Sequence, residues 1–235
     1  SPAPRLPRGG RVGLFTQSAA IGIALLDELE RCGAGLSTFV SAGNRADVSG
    51  NDALQYWFDD PGTGVVLMYL ESLGNPRKFT RLARRAAAAG KPVVVVRGGR
   101  HSGGAPPGGH AVPPAGRTPE STISALLAQA GVIEADTATE LVDAGLLLAH
   151  QPPPGGPRVA VIGNAEALAL IARDACRAQG LDPLPVTTLG AEAGPEEYRR
   201  AVTTALADPG VDAAVVIAVP PGQGLGESPP GASLA

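Results

Sequence analysis

Short apolar runs alternate with longer amphipathic patterns along most of this chain, and this alternation restricts it to a few fold classes. Apolar runs occur at Val12–Thr16, Leu36–Val40, Val65–Leu70 and Val93–Val96, and a helical pattern covers Ala19–Arg31. Alternation of strands and helices is typical of a parallel sheet with helices on both faces. The sequence therefore predicts an α/β fold built on doubly wound parallel sheets.

Local signals predict the remaining elements of the first half. A short strand begins at Val132, and further helices cover 52–58, 76–89, 118–130 and a segment ending at Leu148. Two of these helices each have two candidate N-cap residues. The candidates are Asp47 or Ser49 for the helix at 52–58, and Thr137 or Thr139 for the helix ending at Leu148.

A Pro/Gly-rich stretch at 151–157 divides the chain, and the strand–helix pattern starts again behind it. The run Arg158–Ile162 has the character of Arg11–Phe15, and a helix at Pro195–Ala207 and a strand at Ala213–Val219 follow. We predict a linker at 1–10, a first domain at 11–150, the linker at 151–157, a second domain at 158–221 and a tail at 222–235. The second domain has too few strands to cover its sheet, so we expect it to be truncated and the chain to be part of a longer protein.

Composition excludes several classes of partner. The net charge of −3 gives no electrostatic reason to expect nucleic acid or an anionic membrane. No apolar run approaches the ~20 residues of a membrane span, and no export signal is present, so we expect a cytoplasmic protein without a membrane partner. His101 and His110 lack a third ligand at suitable spacing, so we expect no metal site.

Candidate functional residues lie where predicted strands end, because open parallel sheets bind ligands at that edge. Gln17-Ser18-Ala19 leads into a helix whose free N–H groups favour an anion, and Ser18 either contributes a hydroxyl or only caps the helix. Glu71 either orients an imidazole or is a solvated residue at a strand end. His110 lies in a Gly/Pro-rich stretch and carries a side chain suited to nucleophilic or proton-transfer chemistry.

Several long motifs, in order, resemble the NDP-forming acyl-CoA synthetases, relatives of the α subunit of succinyl-CoA synthetase. They are RVGLFTQSAAIGIALLDE, SAGNRADVSGNDALQYWFDDP, YLESLGNPRKF, KPVVVVRGGR and QAGVIEADTATELVDA, and the resemblance runs from about Pro4 to Pro221. It implies two flavodoxin-like domains. It also implies chemistry that links an acyl phosphate and CoA to ADP and ATP through a phosphohistidine on a loop.

The resemblance assigns roles to individual residues. His110 matches the phosphorylated histidine, and Glu71 matches the glutamate that orients it. The turn beginning at Gln17 matches the family's Q-S-G, and Asn44 with Asp47 matches its G-N-x-x-D turn. The implied phosphate-binding residues are Gln17, Ser18, Ala19 and Asn44.

Some positions depart from the family pattern. Ala19 replaces a glycine, Val112-Pro113-Pro114 replaces part of the histidine loop, and Glu166 lies in a turn that is glycine-rich in relatives. Proline removes N–H donors that could contact phosphate, and a carboxylate repels it. These departures favour a degenerate or impaired module that senses acyl-CoA or a metabolite, or serves as a scaffold, within a larger protein. The alternative is an active synthetase module that carries phosphate on His110.

The resemblance also implies cofactors and partners. The full-length protein would use CoA and ATP or ADP with Mg²⁺, whereas we expect this fragment alone to bind none of them and to be inactive. Expected partners are a CoA-binding domain and an ATP-grasp domain in the same or another chain, and a fused GNAT acetyltransferase domain. Sheet edges and apolar helices also favour a homo-oligomer.

Overall fold

A computed structural model of the chain describes residues 7–43, 48–99 and 119–220. The chain divides into two compact units, Ser1–Pro152 and Pro153–Ala235. Within the described ranges, none of the helices combines the length and apolar character that crossing a membrane requires.

The first unit alternates strands and helices throughout. Its strands are β1 (Gly9–Thr16), β2 (Leu36–Ser41), β3 (Val65–Leu70), β4 (Val93–Arg97) and β5 (Val132–Ala135), and its helices are α1 (Ala19–Arg31), α2 (Gly50–Asp59), α3 (Pro76–Ala88), α4 (Glu120–Gln129) and α5 (Ala138–His150). All strand pairs are parallel, in the order β2-β1-β3-β4-β5. This is the flavodoxin-like order, which confirms the predicted α/β class with a parallel sheet.

Apolar side chains cover both faces of this sheet. One core contains Phe15, Trp57 and Phe79 under α2, α3 and α4, and the other contains Leu14 and Leu29 under α1 and α5. Central strands of parallel sheets are buried on both faces, so they contain continuous apolar runs rather than alternating ones. This explains why β3 and β4 could be located from the sequence.

The structure decides between the alternative helix caps. The α2 helix begins after Ser49, whose backbone N–H donates to Asp52 Oδ2 at 3.0 Å. The α5 helix begins after Thr137, whose Oγ1 accepts a hydrogen bond from the Glu140 N–H at 3.1 Å. The first N–H groups of a helix have no partner within the helix. The Thr137 hydroxyl satisfies one of these groups in α5, and the Asp52 carboxylate fixes the chain before α2 by accepting from the Ser49 N–H.

Strand β1 begins at Gly9, three residues before the predicted Val12. Its early part runs close to the backbone of Gly35, and a Cβ atom placed on Gly10 would lie 2.3 Å from the Gly35 Cα atom. The two chain segments can come this close because neither Gly10 nor Gly35 has a side chain. Apolar periodicity carries no signal for such a contact.

The second unit has a smaller parallel sheet. Its strands are β6 (Arg158–Gly163), β7 (Asp182–Pro183), β8 (Thr187–Thr188) and β9 (Ala213–Ile217), and its helices are α6 (Glu166–Ala178) and α7 (Pro195–Ala207). Strand β6 pairs with β7 at its start, with β8 at its end and with β9 along its whole length. The sequence did not predict β7 and β8, because Pro183 and Pro185 interrupt the pattern and cannot donate backbone hydrogen bonds.

An ion pair connects Arg158, at the amino end of β6, to Asp212, which directly precedes β9. The Arg158 guanidinium donates to both carboxylate oxygens of Asp212, at 2.8 and 2.9 Å, and the Arg158 backbone N–H donates at 2.9 Å. These hydrogen bonds, first the side-chain and then the backbone ones, lower the pKa of Asp212 from 3.8 to about 2.

A glycine-to-alanine change in β1 tests the packing of the first core. A Cβ atom at Gly13 would lie 2.7 Å from the buried Trp57 ring, so we expect Gly13→Ala to lower the free energy of unfolding by about 1–3 kcal/mol. Urea titration followed by Trp57 fluorescence measures this. Gly9→Ala is the matched control, because a Cβ atom there meets nothing within 4 Å. Equal effects of the two changes would contradict the packing.

The Asp212 ion pair predicts acid sensitivity of the second unit. Because the pKa of Asp212 is lower in the folded state, its contribution to stability is complete above about pH 4 and is lost as the pH falls towards about 2. The protection of amides in β6 and β9 against hydrogen exchange, relative to the intrinsic exchange rate at each pH, should therefore fall over this range in the wild type, and less so in Asp212→Asn.

Asp174→Asn is the control for that experiment. Asp174 lies 3.8 Å from Arg177 in an exposed pair, which contributes little to stability. An acid response that is the same in Asp212→Asn and in the wild type would show that the Asp212 pair is not responsible.

Candidate functional site

The candidate site of the first unit lies at the carboxyl edge of its sheet, between β1 and β3. Here the chain leaves β1 towards α1, while the adjacent strand β3 continues into Glu71 and Ser72. Neighbouring parallel strands whose connections run to opposite sides leave a crevice at this point, where ligands bind in open α/β folds. The structure brings three of the predicted site residues together here: Gln17, Ser18 and Glu71.

Gln17 joins the two sides of this crevice. Its Oε1 atom accepts hydrogen bonds from the backbone N–H groups of Glu71 at 2.7 Å and Ser72 at 3.0 Å, and its Nε2 atom donates to the Ser72 carbonyl at 3.0 Å. The Gln17 N–H also donates to the Tyr69 carbonyl at 3.2 Å. Gln17 is only 3 % exposed. Its amide therefore holds the ends of two strands that are distant in sequence.

Thr16 makes the turn after β1 rigid. Its buried Oγ1 atom accepts from the Ser18 N–H at 3.0 Å and donates to the Ser18 carbonyl at 2.7 Å. Ser18 then caps α1, but the hydrogen bond from the Ile21 N–H to its Oγ atom is long, at 3.5 Å. A contact of that length is weak. The Ser18 hydroxyl is thus oriented at the helix start and only weakly used for capping.

Ala19 is the first residue of α1 and is exposed. No non-glycine residue in the described ranges has a positive φ, so the backbone at this position does not require glycine. The N–H groups of Ala19 and Ala20 have no acceptor in the part of the chain that the structure describes. Together with the helix dipole, they give this end of α1 a partial positive charge.

Glu71 and Tyr69, at the end of β3, are connected through their backbones to Gln17, and both side chains lie near Gly98. Glu71 is half-buried, and its backbone is held by Gln17. Gly98 leaves room for the Tyr69 hydroxyl, since a Cβ atom on Gly98 would lie 2.5 Å from it. Burial, and secondly the charge of Glu71, raise the pKa of Tyr69, so its hydroxyl stays protonated at neutral pH. Tyr69 was not predicted from the sequence, although its position two residues before Glu71 places both on one face.

Arg97 is a second residue that sequence analysis missed. Its side chain is 9 % exposed at the end of β4, and its guanidinium donates to Glu134 at 2.9 Å and Ser124 at 3.2 Å, and pairs with Glu120. It thereby joins the end of β4 to the start of α4 and to β5. The available signal was a charged residue directly after four valines.

Other predicted site residues lie outside the described residues. These are His110, Asn44 and Asp47. Within the described ranges, no three His, Cys, Asp or Glu side chains form a group that could hold a metal ion.

The second unit has a comparable turn after its first strand. Asn164 follows β6, and its Nδ2 atom donates to the carbonyls of Val219 at 2.8 Å and Ala191 at 3.3 Å, while its Oδ1 atom accepts from the Val219 N–H at 2.9 Å. Glu166 is exposed at the first position of α6. Its charge stabilises the helix start and disfavours an anion there.

Large parts of this chain are similar to known proteins. Residues 9–148 match the model of a family described as succinyl-CoA ligase like flavodoxin domain. The α subunit of ADP-forming acetate–CoA ligase I from Pyrococcus furiosus is 32% identical over 172 residues, covering 73% of this chain and 37% of that protein. The ADP-forming 4-hydroxybutyrate–CoA ligase of Nitrosopumilus maritimus is 32% identical over 183 residues, covering 78% of this chain and 26% of that protein. This chain therefore spans well under half the length of these relatives.

Solved structures are similar over a longer range. The dinucleotide-forming acetyl-coenzyme A synthetase 1 of Candidatus Korarchaeum cryptofilum, in its apo form, superposes with a TM-score of 0.79 at 27% identity. The match covers 90% of this chain and 50% of that one. The structure of the same enzyme in complex with phosphate and ADP matches equally well.

Two N-cap changes compare the capping roles of Ser18 and Thr137. The Thr137 cap is 3.1 Å long and that of Ser18 is 3.5 Å. We expect Thr137→Ala to lower the free energy of unfolding by about 1 kcal/mol and Ser18→Ala to lower it by clearly less. Urea denaturation measures both. A larger loss in Ser18→Ala would show that its hydroxyl is mainly a structural cap.

Proposed function

Since this chain belongs to the NDP-forming acyl-CoA synthetase family through its succinyl-CoA ligase like flavodoxin domain, we propose that it forms the phosphoryl-carrying part of such a synthetase. In this role a nitrogen of the His110 imidazole attacks an acyl phosphate, and the carboxylate leaves. The phosphoryl group then passes from His110 to ADP, which regenerates the imidazole and gives ATP. The reverse direction uses the same steps.

The observation that carries this proposal is the placement of Glu71 beside the amino end of α1. Gln17 holds the Glu71 backbone at 2.7 Å and directly precedes Ser18, so a carboxylate and an anion-favouring helix start lie at one crevice. A carboxylate that accepts the second N–H of an imidazole fixes its tautomer and raises its basicity. The helix start can stabilise the three oxygens of a phosphoryl group.

Two further residues support an active site here. The neutral Tyr69 hydroxyl is a donor next to Glu71, and it has no hydrogen-bond partner among the described residues. Ala19, whose methyl group replaces the family glycine, is exposed and causes no backbone strain. The backbone of α1 therefore accommodates this substitution.

CoA, ADP or ATP and Mg²⁺ would be bound by other domains. We propose a CoA-binding domain and an ATP-grasp domain, in the same or another chain. The described residues contain no group of acidic and imidazole side chains that could hold a metal ion by itself. We propose that the activity belongs to the assembled protein.

The second unit would supply part of a second flavodoxin-like domain, at 158–221. In the second sheet, β6 lies between β9 on one side and β7 with β8 on the other. This order repeats the β2-β1-β3 part of the first sheet, with β7 and β8 in the place of β2. Val215 and Val216 of β9 are 37% and 45% exposed, whereas Val65 and Val66 of β3 are at most 1% exposed beneath their neighbours. Apolar strand residues of this kind are normally covered by further strands and helices.

A second candidate is an impaired module that binds acyl-CoA as a sensor or scaffold, including one fused to a GNAT acetyltransferase domain. The observation that favours it is the exposed Glu166 at the start of α6. Its negative charge replaces an anion-binding feature of relatives. In this case the full-length protein would bind acyl-CoA without forming phosphohistidine.

Labelling with radioactive ATP separates the two candidates. The full-length protein with [γ-³²P]ATP and Mg²⁺ should acquire acid-labile, base-stable label, and His110→Ala should acquire none. Glu71→Gln removes a charge-assisted hydrogen bond worth about 1.5–3 kcal/mol, so labelling should slow by about 10–100-fold. An unlabelled wild type that binds acyl-CoA in calorimetry would overturn the synthetase role and support the sensor.

A further inference from the structure

We propose that Gln17 is a positioning residue that fixes Glu71 for work on the imidazole, and that it does not itself bind phosphate. This inference rests on the proposed phosphohistidine chemistry. It departs from the role that the family motif implies for Gln17, which is to help hold the phosphoryl group.

The hydrogen-bonding capacity of the Gln17 amide is almost fully used. Its Oε1 atom has two lone pairs and accepts two backbone N–H groups, at 2.7 and 3.0 Å. One of its two amide N–H groups donates to the Ser72 carbonyl at 3.0 Å. With 3% of the residue exposed, no surface remains for a second set of partners. A phosphoryl group could bind this amide without displacing the backbone of Glu71 or Ser72 only through the one remaining Nε2 N–H.

These contacts connect the two chemical groups of the site. Gln17 is adjacent in sequence to Ser18, at the start of α1, and its side chain holds the backbone N–H of Glu71. The linked residues are 54 positions apart in sequence. Thr16 makes the same turn rigid through Ser18, so the Gln17 amide, together with the pairing of β1 and β3, holds the Glu71 backbone at a fixed place relative to the helix start.

The second unit shows the same device without the carboxylate. Asn164 follows the first strand, as Gln17 does, and its amide holds the backbone of Val219 behind the third strand through both its oxygen and its nitrogen. No acidic residue is attached to that contact, because Val219 and Pro220 occupy the place. A side-chain amide at this point therefore serves to join two strand ends, and in the first unit the residue it holds is Glu71.

A double-mutant cycle with full-length protein tests the proposal. The readout is the initial rate of His110 labelling by [γ-³²P]ATP. We expect Gln17→Met, which has a similar volume but no hydrogen bonds, to lower the rate by about tenfold. If Gln17 acts through Glu71, then Gln17→Met combined with Glu71→Gln should stay within about threefold of Glu71→Gln alone. A double variant about tenfold slower than Glu71→Gln would show an independent role and overturn the proposal.

Gln17→Glu provides a second variant. It keeps the oxygen that accepts from Glu71 and Ser72 but replaces the Nε2 donor to the Ser72 carbonyl with an oxygen, so the positioning role predicts a labelling rate reduced by clearly less than about tenfold. A direct phosphate contact predicts a loss of about tenfold or more, because the added carboxyl group repels an anion. This comparison holds even where Gln17→Met fails to fold, which Trp57 fluorescence reports.

Thr63→Val controls for a general loss of stability. Thr63 is 1 % exposed and lies at the opposite, amino edge of the sheet, with hydrogen bonds of 2.6 Å to Asp60 and to Ser37. The Thr63→Val change should lower the free energy of unfolding without changing the rate of His110 labelling. Unlabelled wild type would refute the proposed function, whereas labelled wild type with an unaffected Gln17→Met would refute only the positioning role.

Discussion

The carboxyl edge of the first sheet depends on one buried side-chain amide. Strands β1 and β3 lie side by side, but the chain segments that follow them run to different helices and expose backbone groups that no strand pairs. Buried N–H and C=O groups without partners are costly, so something must satisfy them. Gln17 does so from within the turn after β1, where it accepts hydrogen bonds from the Glu71 and Ser72 N–H groups and donates one to the Ser72 carbonyl. Every candidate group of the site is placed relative to this link.

Comparison with the second unit distinguishes contacts that hold the fold together from the groups that we propose take part in chemistry. Asn164 makes the corresponding link to Val219, so the link itself recurs where no carboxylate is present. The first unit adds Glu71, the Tyr69 hydroxyl and a helix start that Ser18 caps only weakly to the same framework. Function in this fold resides in such additions, and the shared topology does not specify them.

The sequence predicted the features that depend on local patterns. The bounds of α1 and β3, and the start of α3 at Pro76, agree with the structure, because apolar periodicity and capping residues lie within a few positions of each element. Gln17 and Glu71 were located from a motif, but not the contact between them, which joins residues 54 positions apart. Arg97 and Tyr69 were missed for the same reason, since their importance comes from neighbours on other elements. The broken strand formed by β7 and β8 was missed because its prolines suppress the strand pattern.

Those prolines determine at which edge the second sheet can be extended by a further strand. An edge strand can recruit another chain when it presents a row of free backbone donors, and Pro183 and Pro185 remove donors along the side formed by β7 and β8. On the opposite side β9 presents an apolar run without proline. Strand addition, whether from a neighbouring segment or from another molecule, is therefore obstructed on one side of this sheet and permitted on the other.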